Sequence, residues 1–304
     1  MEQAIGGALV KDSYRSALLL AIVAFALLSV GDAIVKGMAG QWPGTAIAAL
    51  RYGIGCVGLG VITVVREGRS GLSLPRPWWQ VLRGFAVSLS AVCFFSALQF
   101  MPIGEATAIL FTSPMMTALL AAVVLHEPLR RETWIASGLA FLGVLLVLRP
   151  NFALLGWAAL LPMLAALGMA ALMIANRKVA GTGSALSMQV NVAAFGALFL
   201  IVATALGHAS GIAMLSVSWP SSGVILRCAL IAVTASVAHA CLYLATTRVG
   251  ASVIAPMTYV QLLMAGLFGW LLFGETPDAM ALTGALTIVG AGLYLWRAGQ
   301  SRQH

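Results

Sequence analysis

Acidic residues are the rarest class in this sequence, with nine Asp and Glu in 304 residues against 17 Lys and Arg. Charged residues of both signs reach only 9%, where a soluble domain carries about a quarter. That shortfall excludes an ordinary soluble globule, whose surface needs charge to stay in water. Motifs for energy coupling and catalysis are missing as well. There is no GxxxxGK[ST] loop for a nucleoside triphosphate, no HExxH for zinc, no CxxC pair and no aspartate-rich stretch. Cys56, Cys93, Cys228 and Cys241 stand singly in apolar runs. They read as small buried side chains, and neither a metal nor a cofactor is expected. The net charge of +8 is spread in ones and twos between apolar runs rather than gathered on one surface, which argues against a nucleic-acid partner.

What is present is hydrophobicity: 61% of residues are apolar and the mean hydropathy is +0.99. The apolar residues form non-alternating runs long enough to cross a bilayer as helices, about 20 residues each. Inside lipid a helix satisfies its own backbone, and without period-two alternation a barrel is excluded. Five spans are predicted at Ala17–Val35, Thr45–Val65, Trp79–Phe100, Ala106–Leu125 and the shorter Trp134–Leu148. Five more follow Arg149-Pro150-Asn151, at Gly156–Ile174, Leu186–Leu206, Val224–Thr246, Ala251–Phe273 and Ala279–Trp296.

The second five copy the first. Gly104–Arg131 returns as Gly250–Asp278, each opening on small residues, carrying a proline in its first half and closing on a glutamate, Glu127 or Glu275, with a proline just beyond. Lys36 falls against Asn176, Arg51 against Asn191, and Gly138 and Gly143 against Gly284 and Gly290. Five is odd, so the second copy must enter the bilayer from the other face, as in inverted repeats. Charge placement agrees. With a cytoplasmic amino terminus most basic residues lie inside, and only Lys36, Arg149 and Arg227 fall at outer ends, with Arg51 inside a span. The predicted fold is therefore all-α and integral to the membrane, with ten transmembrane helices in two inverted five-helix repeats at 17–151 and 152–297. Short cytoplasmic tails at 1–16 and 298–304 complete it.

Candidate working residues are the polar and interrupted positions near mid-membrane. Pro114 and Pro256 are predicted helix breaks, beside Thr112 and Ser113 or Thr258 and Tyr259. Their alternative role is to kink helices and shape the bundle. His239 and Tyr243 share one helix face, and Tyr259 and Gln261 lie at matching depth. With Phe94, Phe111 and Thr112, and stacking surface from Trp270, these would line a pathway for a neutral or zwitterionic solute, or else pack against neighbouring helices. Asp32 and Arg51 are gating or coupling candidates. Asp32 precedes Lys36 by one turn, so an ion pair competes there with proton coupling. Glu127 and Glu275 are expected to orient helix starts. Gly53, Gly55 and Gly58 spell a GxGxxG inside a span, expected to mark close helix packing rather than a dinucleotide site.

These residues resemble the EamA-type transporters of the drug/metabolite transporter superfamily over the whole chain. The resemblance rests on Arg51-Tyr52, Ala97-Leu98 with Pro102-Ile103-Gly104-Glu105-Ala106, Ser113-Pro114, His126-Glu127-Pro128-Leu129 and Gly274-Glu275-Thr276-Pro277. Within that family the chain is most similar to bacterial inner-membrane exporters of amino acids, the YddG-like ones included. The resemblance implies a secondary transporter embedded in membrane lipid that exports neutral or aromatic amino acids and related metabolites by alternating access. Facilitated diffusion and proton exchange both stay open as its energy source. The alternative reading is a multidrug or amphiphile exporter. A membrane-embedded enzyme ranks below both, for want of convergent acids or a nucleophile-base pair.

Overall fold

The computed structural model describes residues 2–124, 126, 131–248 and 255–300. Among them every regular element is helical: α1 Glu2–Lys36, α2 Gly44–Glu67, α3 Pro77–Ala97, α4 Ile103–Leu110, α5 Ser113–Val124, α6 Arg131–Leu155, α7 Leu161–Val179, α8 Ala185–Ala209, α9 Ser222–Arg248, α10 Tyr259–Phe273 and α11 Ala279–Gln300. Short 3-10 turns stand at Arg69–Leu72, Gly156–Leu160, Ala213–Leu215 and Ala255–Thr258. Seven of the described helices are long and apolar enough to cross a membrane, counting α4 and α5 together, and α10 and most of α11 are shorter apolar helices.

Sequence sets where these helices begin and end. Prolines open α2, α3 and α4, at Pro43, Pro77 and Pro102, where a missing N–H is harmless. The Ser184 hydroxyl accepts from Ser187 N at 3.0 Å to cap α8, and Asp278 Oδ1 accepts from Ala281 N to cap α11. Large apolar side chains such as Val65, Leu206, Leu226 and Leu286 project outward. In water that would be a liability, and in lipid it is the favoured surface.

The helices of the first half pack chiefly on those of the second: α1 on α9, α2 on α8, α3 on α7, α4 on α10 and α6 on α11. Exchanging the halves turns the α1–α9 contact into α7–α3 and the α2–α9 contact into α8–α3, both of which are present. The contact pattern thus maps onto itself, as a two-fold relation between halves requires. α6 and α11 cross antiparallel, since Gly143 abuts Ile288 while Gly284 abuts Val147. A Cβ at Gly143 would lie 2.7 Å from Gly284 O, and one at Gly284 would lie 2.6 Å from Gly143 O. Only glycine lets these backbones meet.

The helix carrying the first predicted span runs back through the predicted tail to Glu2, its membrane-length stretch being Arg15–Lys36. The span expected at Ala106–Leu125 falls within Ile103–Val124 and is divided into α4 and α5 at the predicted break, and the one expected at Trp134–Leu148 lies within the longer α6. Gly138 and Gly290 meet nothing within 4 Å, so of the four glycines matched between the repeat ends Gly143 and Gly284 are the two that pack. Gly53, Gly55 and Gly58 likewise face open space, as does Gly60. Their small size is not used for packing among the described residues.

Candidate functional site

The fourth predicted span breaks where its proline demands it. α4 ends at Leu110, and Thr112 N closes a tight turn onto Ile109 O at 3.0 Å. Pro114 sits in the first turn of α5 and has no N–H, while Met115 and Met116 both donate to Thr112 O at 3.1 Å. The carbonyls of Leu110 and Phe111 therefore lose the donors four residues on, which a continuous helix would supply. The Thr112 hydroxyl is turned back onto Ile109 O at 2.8 Å and the residue is buried. It braces the break and presents no free hydroxyl to a solute.

The matching break of the second half is the 3-10 turn Ala255–Thr258, from which α10 starts at Tyr259. Pro256 lies in that turn, with its side chain outside the described residues. The two breaks meet. The Phe111 and Tyr259 rings stand edge to face, 5.9 Å apart at 80°. Beyond them α4 and α10 pass so closely that a Cβ at Gly104 would touch the Gly266 Cα at 3.5 Å. The Tyr259 hydroxyl end fills the space over Gly292 of α11, where a Cβ would be only 1.9 Å away.

The two gating candidates sit on α1 and α2. Asp32 on α1 is 9% exposed, and its Oδ2 accepts from Gln261 Nε2 at 2.9 Å. The Ser29 hydroxyl, one turn earlier, reaches Gln261 O at 3.4 Å. A first-half carboxylate is thus held by a second-half amide. The ion pair expected between Asp32 and Lys36 does not form. Lys36 instead pairs with Glu275 Oε1 at 2.7 Å and donates to Met101 O. Arg51 on α2 is stacked, its guanidinium carbon 5.1 Å from the centre of the Tyr52 ring and 5.3 Å from that of Phe95.

His239 shares the inward face of α9 with Ala232 and Ala235, seven and four residues earlier. Both alanines are buried, yet His239 is exposed. In the first half the matching stretch of α3 is Cys93 to Phe95, and all three of those residues are buried. Phe94 is accordingly wall rather than lining, packed against Phe95 with centroids 6.4 Å apart. Tyr243 follows His239 by one turn of α9, with its side chain outside the described residues. Trp270, offered as stacking surface, is 58% exposed, three turns along α10 from Tyr259.

Two clusters were not legible in advance as sites. At one end Glu275 Oε2 accepts from Ile103 N at 3.0 Å, capping α4 across the repeat boundary rather than the helix after it. Glu127, its counterpart, lies outside the described residues. At the other end Arg83 is 5% exposed. It donates to Asn176 Oδ1 at 2.6 Å, to Met188 O at 3.2 Å and to Gln80 Oε1, tying α3 to α7 and α8. Its repeat mate Arg227 holds Gly37 O and Gln41 Oε1, each at 3.3 Å. The available signal was that Val81-Leu82-Arg83-Gly84 reads like Ile225-Leu226-Arg227-Cys228.

Two equivalent halves, apolar outside, meeting at broken helices and enclosing a few held charges, define a multi-pass membrane protein with an internal polar site. A family model described as the EamA-like transporter family matches twice, at residues 15–149 and 156–296. The chain belongs to that family, and its biology is small-molecule transport. Among curated relatives it is 27% identical to a riboflavin transporter of Rhizobium johnstonii, covering 94% of this chain and 91% of that one. It is 28% identical to an S-adenosylmethionine uptake transporter of Rickettsia bellii over 76% of this chain and 77% of that one. It is 26% identical to a pseudopaline exporter of Pseudomonas aeruginosa over 95% and 99%. A crystal structure at 21% identity superposes with a TM-score of 0.57, covering 94% of this chain and 99% of that chain, and shares the fold.

Proposed function

We propose that this protein is a secondary carrier that exports neutral or aromatic amino acids and related metabolites across the bacterial inner membrane by alternating access. Ten spans in two inverted halves, 17–151 and 152–297, with both termini cytoplasmic, would form it. The observation that carries the reading is the meeting of the two helix breaks at Phe111 and Tyr259, beside the cross-half Asp32–Gln261 contact. Carriers with inverted repeats bind solute at such a junction, near the bilayer midplane. The self-mapping contact pattern and the antiparallel α6–α11 crossing support inversion. An aromatic edge, free backbone carbonyls and a few dipolar groups suit an organic solute with a flat or zwitterionic part.

On this reading Phe111, Tyr259, Gln261 and His239 line the path, with Tyr243 further along α9. Pro114 and Pro256 keep the two breaks open, and Phe94 and Thr112 brace the wall. The named relatives divide between uptake and export, so export direction is part of the proposal. Counterflow in proteoliposomes tests it, with a panel of neutral, aromatic, basic and acidic amino acids, riboflavin and a lipophilic cation at two pH values. Neutral and aromatic amino acids should exchange, and a rate that changes between the two pH values identifies proton coupling. Exchange of the lipophilic cation alone sinks the amino-acid reading in favour of a multidrug exporter.

A further inference from the structure

We propose that the groove between α1, α9 and α10 binds one anionic phospholipid, whose phosphate meets Arg227 and whose acyl chain fills the groove beyond it. Such a site goes beyond the transport reading and does not depend on which solute is carried. The groove has a volume of about 450 Å³, within the range of small-molecule sites. Its α1 wall is Val30, Ala33, Ile34 and Gly37, spaced so that all four share one helix face. Leu230 of α9 and Phe268, Leu272 and Phe273 of α10 make the other walls. Leu230 and Leu272 are exposed, so the groove opens sideways onto the surface that faces lipid.

Arg227 is the charged residue of that lining, and it stands at one end. Its Nη1 reaches Gly37 O at 3.3 Å, and a Cβ on Gly37 would touch the Phe273 ring at 4.0 Å. Gly37 follows the last residue of α1 and Phe273 is the last of α10, while Arg227 is the sixth residue of α9. From there Val30, Leu230 and Phe268 carry the groove toward mid-membrane. The polar end therefore lies near the membrane boundary, where the exposed Trp219 stands just before α9, and the apolar end lies inside. A phospholipid has the same order, phosphate at the boundary and chain inward.

The arginine is also underused. It is exposed, its acceptors Gly37 O and Gln41 Oε1 are neutral and share Nη1 at 3.3 Å, and among the described residues no carboxylate pairs with it. Nε and Nη2 remain as a planar fork that suits a phosphate. Its repeat mate shows the alternative. Arg83 is buried and spends its donors on Asn176, Gln80 and Met188. The repeat can enclose this arginine, and the second half leaves it at the mouth of an apolar groove. A lipid seated there would touch α1 of the first half and α9 and α10 of the second.

The test is photolabelling in phosphatidylcholine proteoliposomes doped with a trace lipid that carries a diazirine midway along one acyl chain, read by peptide mass spectrometry. The probe is either phosphatidylglycerol or phosphatidylcholine, whose own ammonium neutralises its phosphate. In the wild type the phosphatidylglycerol probe should label residues 30–37, 230 and 268–273 about fivefold more than the phosphatidylcholine probe, the scale of one arginine facing an anionic lipid. Arg227→Gln should remove that preference, and Leu230→Trp, which fills the groove, should lower labelling by both probes. Excess dissolved glycerol 3-phosphate should change nothing, and displacement by it would mark a free-phosphate site and overturn the lipid. Equal labelling by the two probes in the wild type, or none at these residues, overturns the proposal and needs no variant to fold. So does a preference that survives Arg227→Gln.

Discussion

Tyr259 occupies room that a side chain at position 292 would take. Its hydroxyl oxygen is 1.9 Å from where a Cβ on Gly292 would stand, and Met115 Cε closes the same space at 3.6 Å. With Phe111 against the ring, the tyrosine has nowhere easy to swing. Gly292→Ala should therefore lower the melting temperature of the detergent-solubilised protein, an overpacking cost of about 1–3 kcal/mol. In a Tyr259→Ala background the same change should cost almost nothing, because the clash is gone. Equal losses in both backgrounds would show that Tyr259 is not what Gly292 accommodates. The sequence named Tyr259 and Gln261 by depth and polarity and Phe111 as stacking surface, and the structure sets Phe111 against Tyr259 and Gln261 against Asp32. It could not pair Lys36 with Glu275, because helix spacing offers Asp32 four residues away as an easier partner. Contacts between halves are invisible to periodicity.

At the scale of the helix, the turn after α10 shows how one carboxylate serves two elements. Gly274, at φ 65°, reverses the chain so that Glu275 N reaches Gly269 O at 3.0 Å. Gly269 has no side chain to block Glu275 Oε2, which would lie 2.9 Å from its Cβ. Positive φ is cheap for glycine and strained for others. The carboxylate then meets the amino end of α4 with one oxygen and Lys36, the last residue of α1, with the other. Glu275→Ala should lower the melting temperature more than Glu275→Gln, since the amide oxygen can still accept from Ile103 N while the ion pair is lost. Lys36→Ala added to Glu275→Ala should then cost little more. If Gln and Ala are equally harmful, the cap on α4 contributes nothing. Such a turn was only half legible: Gly-Glu-Thr-Pro marks a helix end, but the element it caps lies in the other half of the chain.

For the whole molecule, the decisive fact is that each principal helix of the first half finds its main packing partner in the second. The two copies were readable because hydrophobic runs and their repetition are local signals. Pairing across halves was not, since every lipid-length apolar helix offers similar faces to any other, and the choice is made by details such as Gly143 against Gly284. The first half expressed alone, residues 1–151, should be degraded or aggregate, and co-expression with residues 152–304 should restore a folded complex on gel filtration. A stable, monodisperse first half would contradict this account of the packing.

The α6–α11 crossing carries a consequence for how the protein is made. The small-residue seam of α6, with Ala136, Ala140 and Gly143, is completed by Gly284, Ile288 and Ala291 of α11, and α11 leaves the ribosome long after α6. At about 5–20 residues per second, α6 waits on the order of ten seconds in the membrane with that seam uncovered. A small-residue face is sticky toward other helices throughout that interval. The insertion machinery, or a helix of a neighbouring nascent chain, meets α6 before its own partner does, so the yield of correctly closed molecules is set as much by synthesis rate as by final stability.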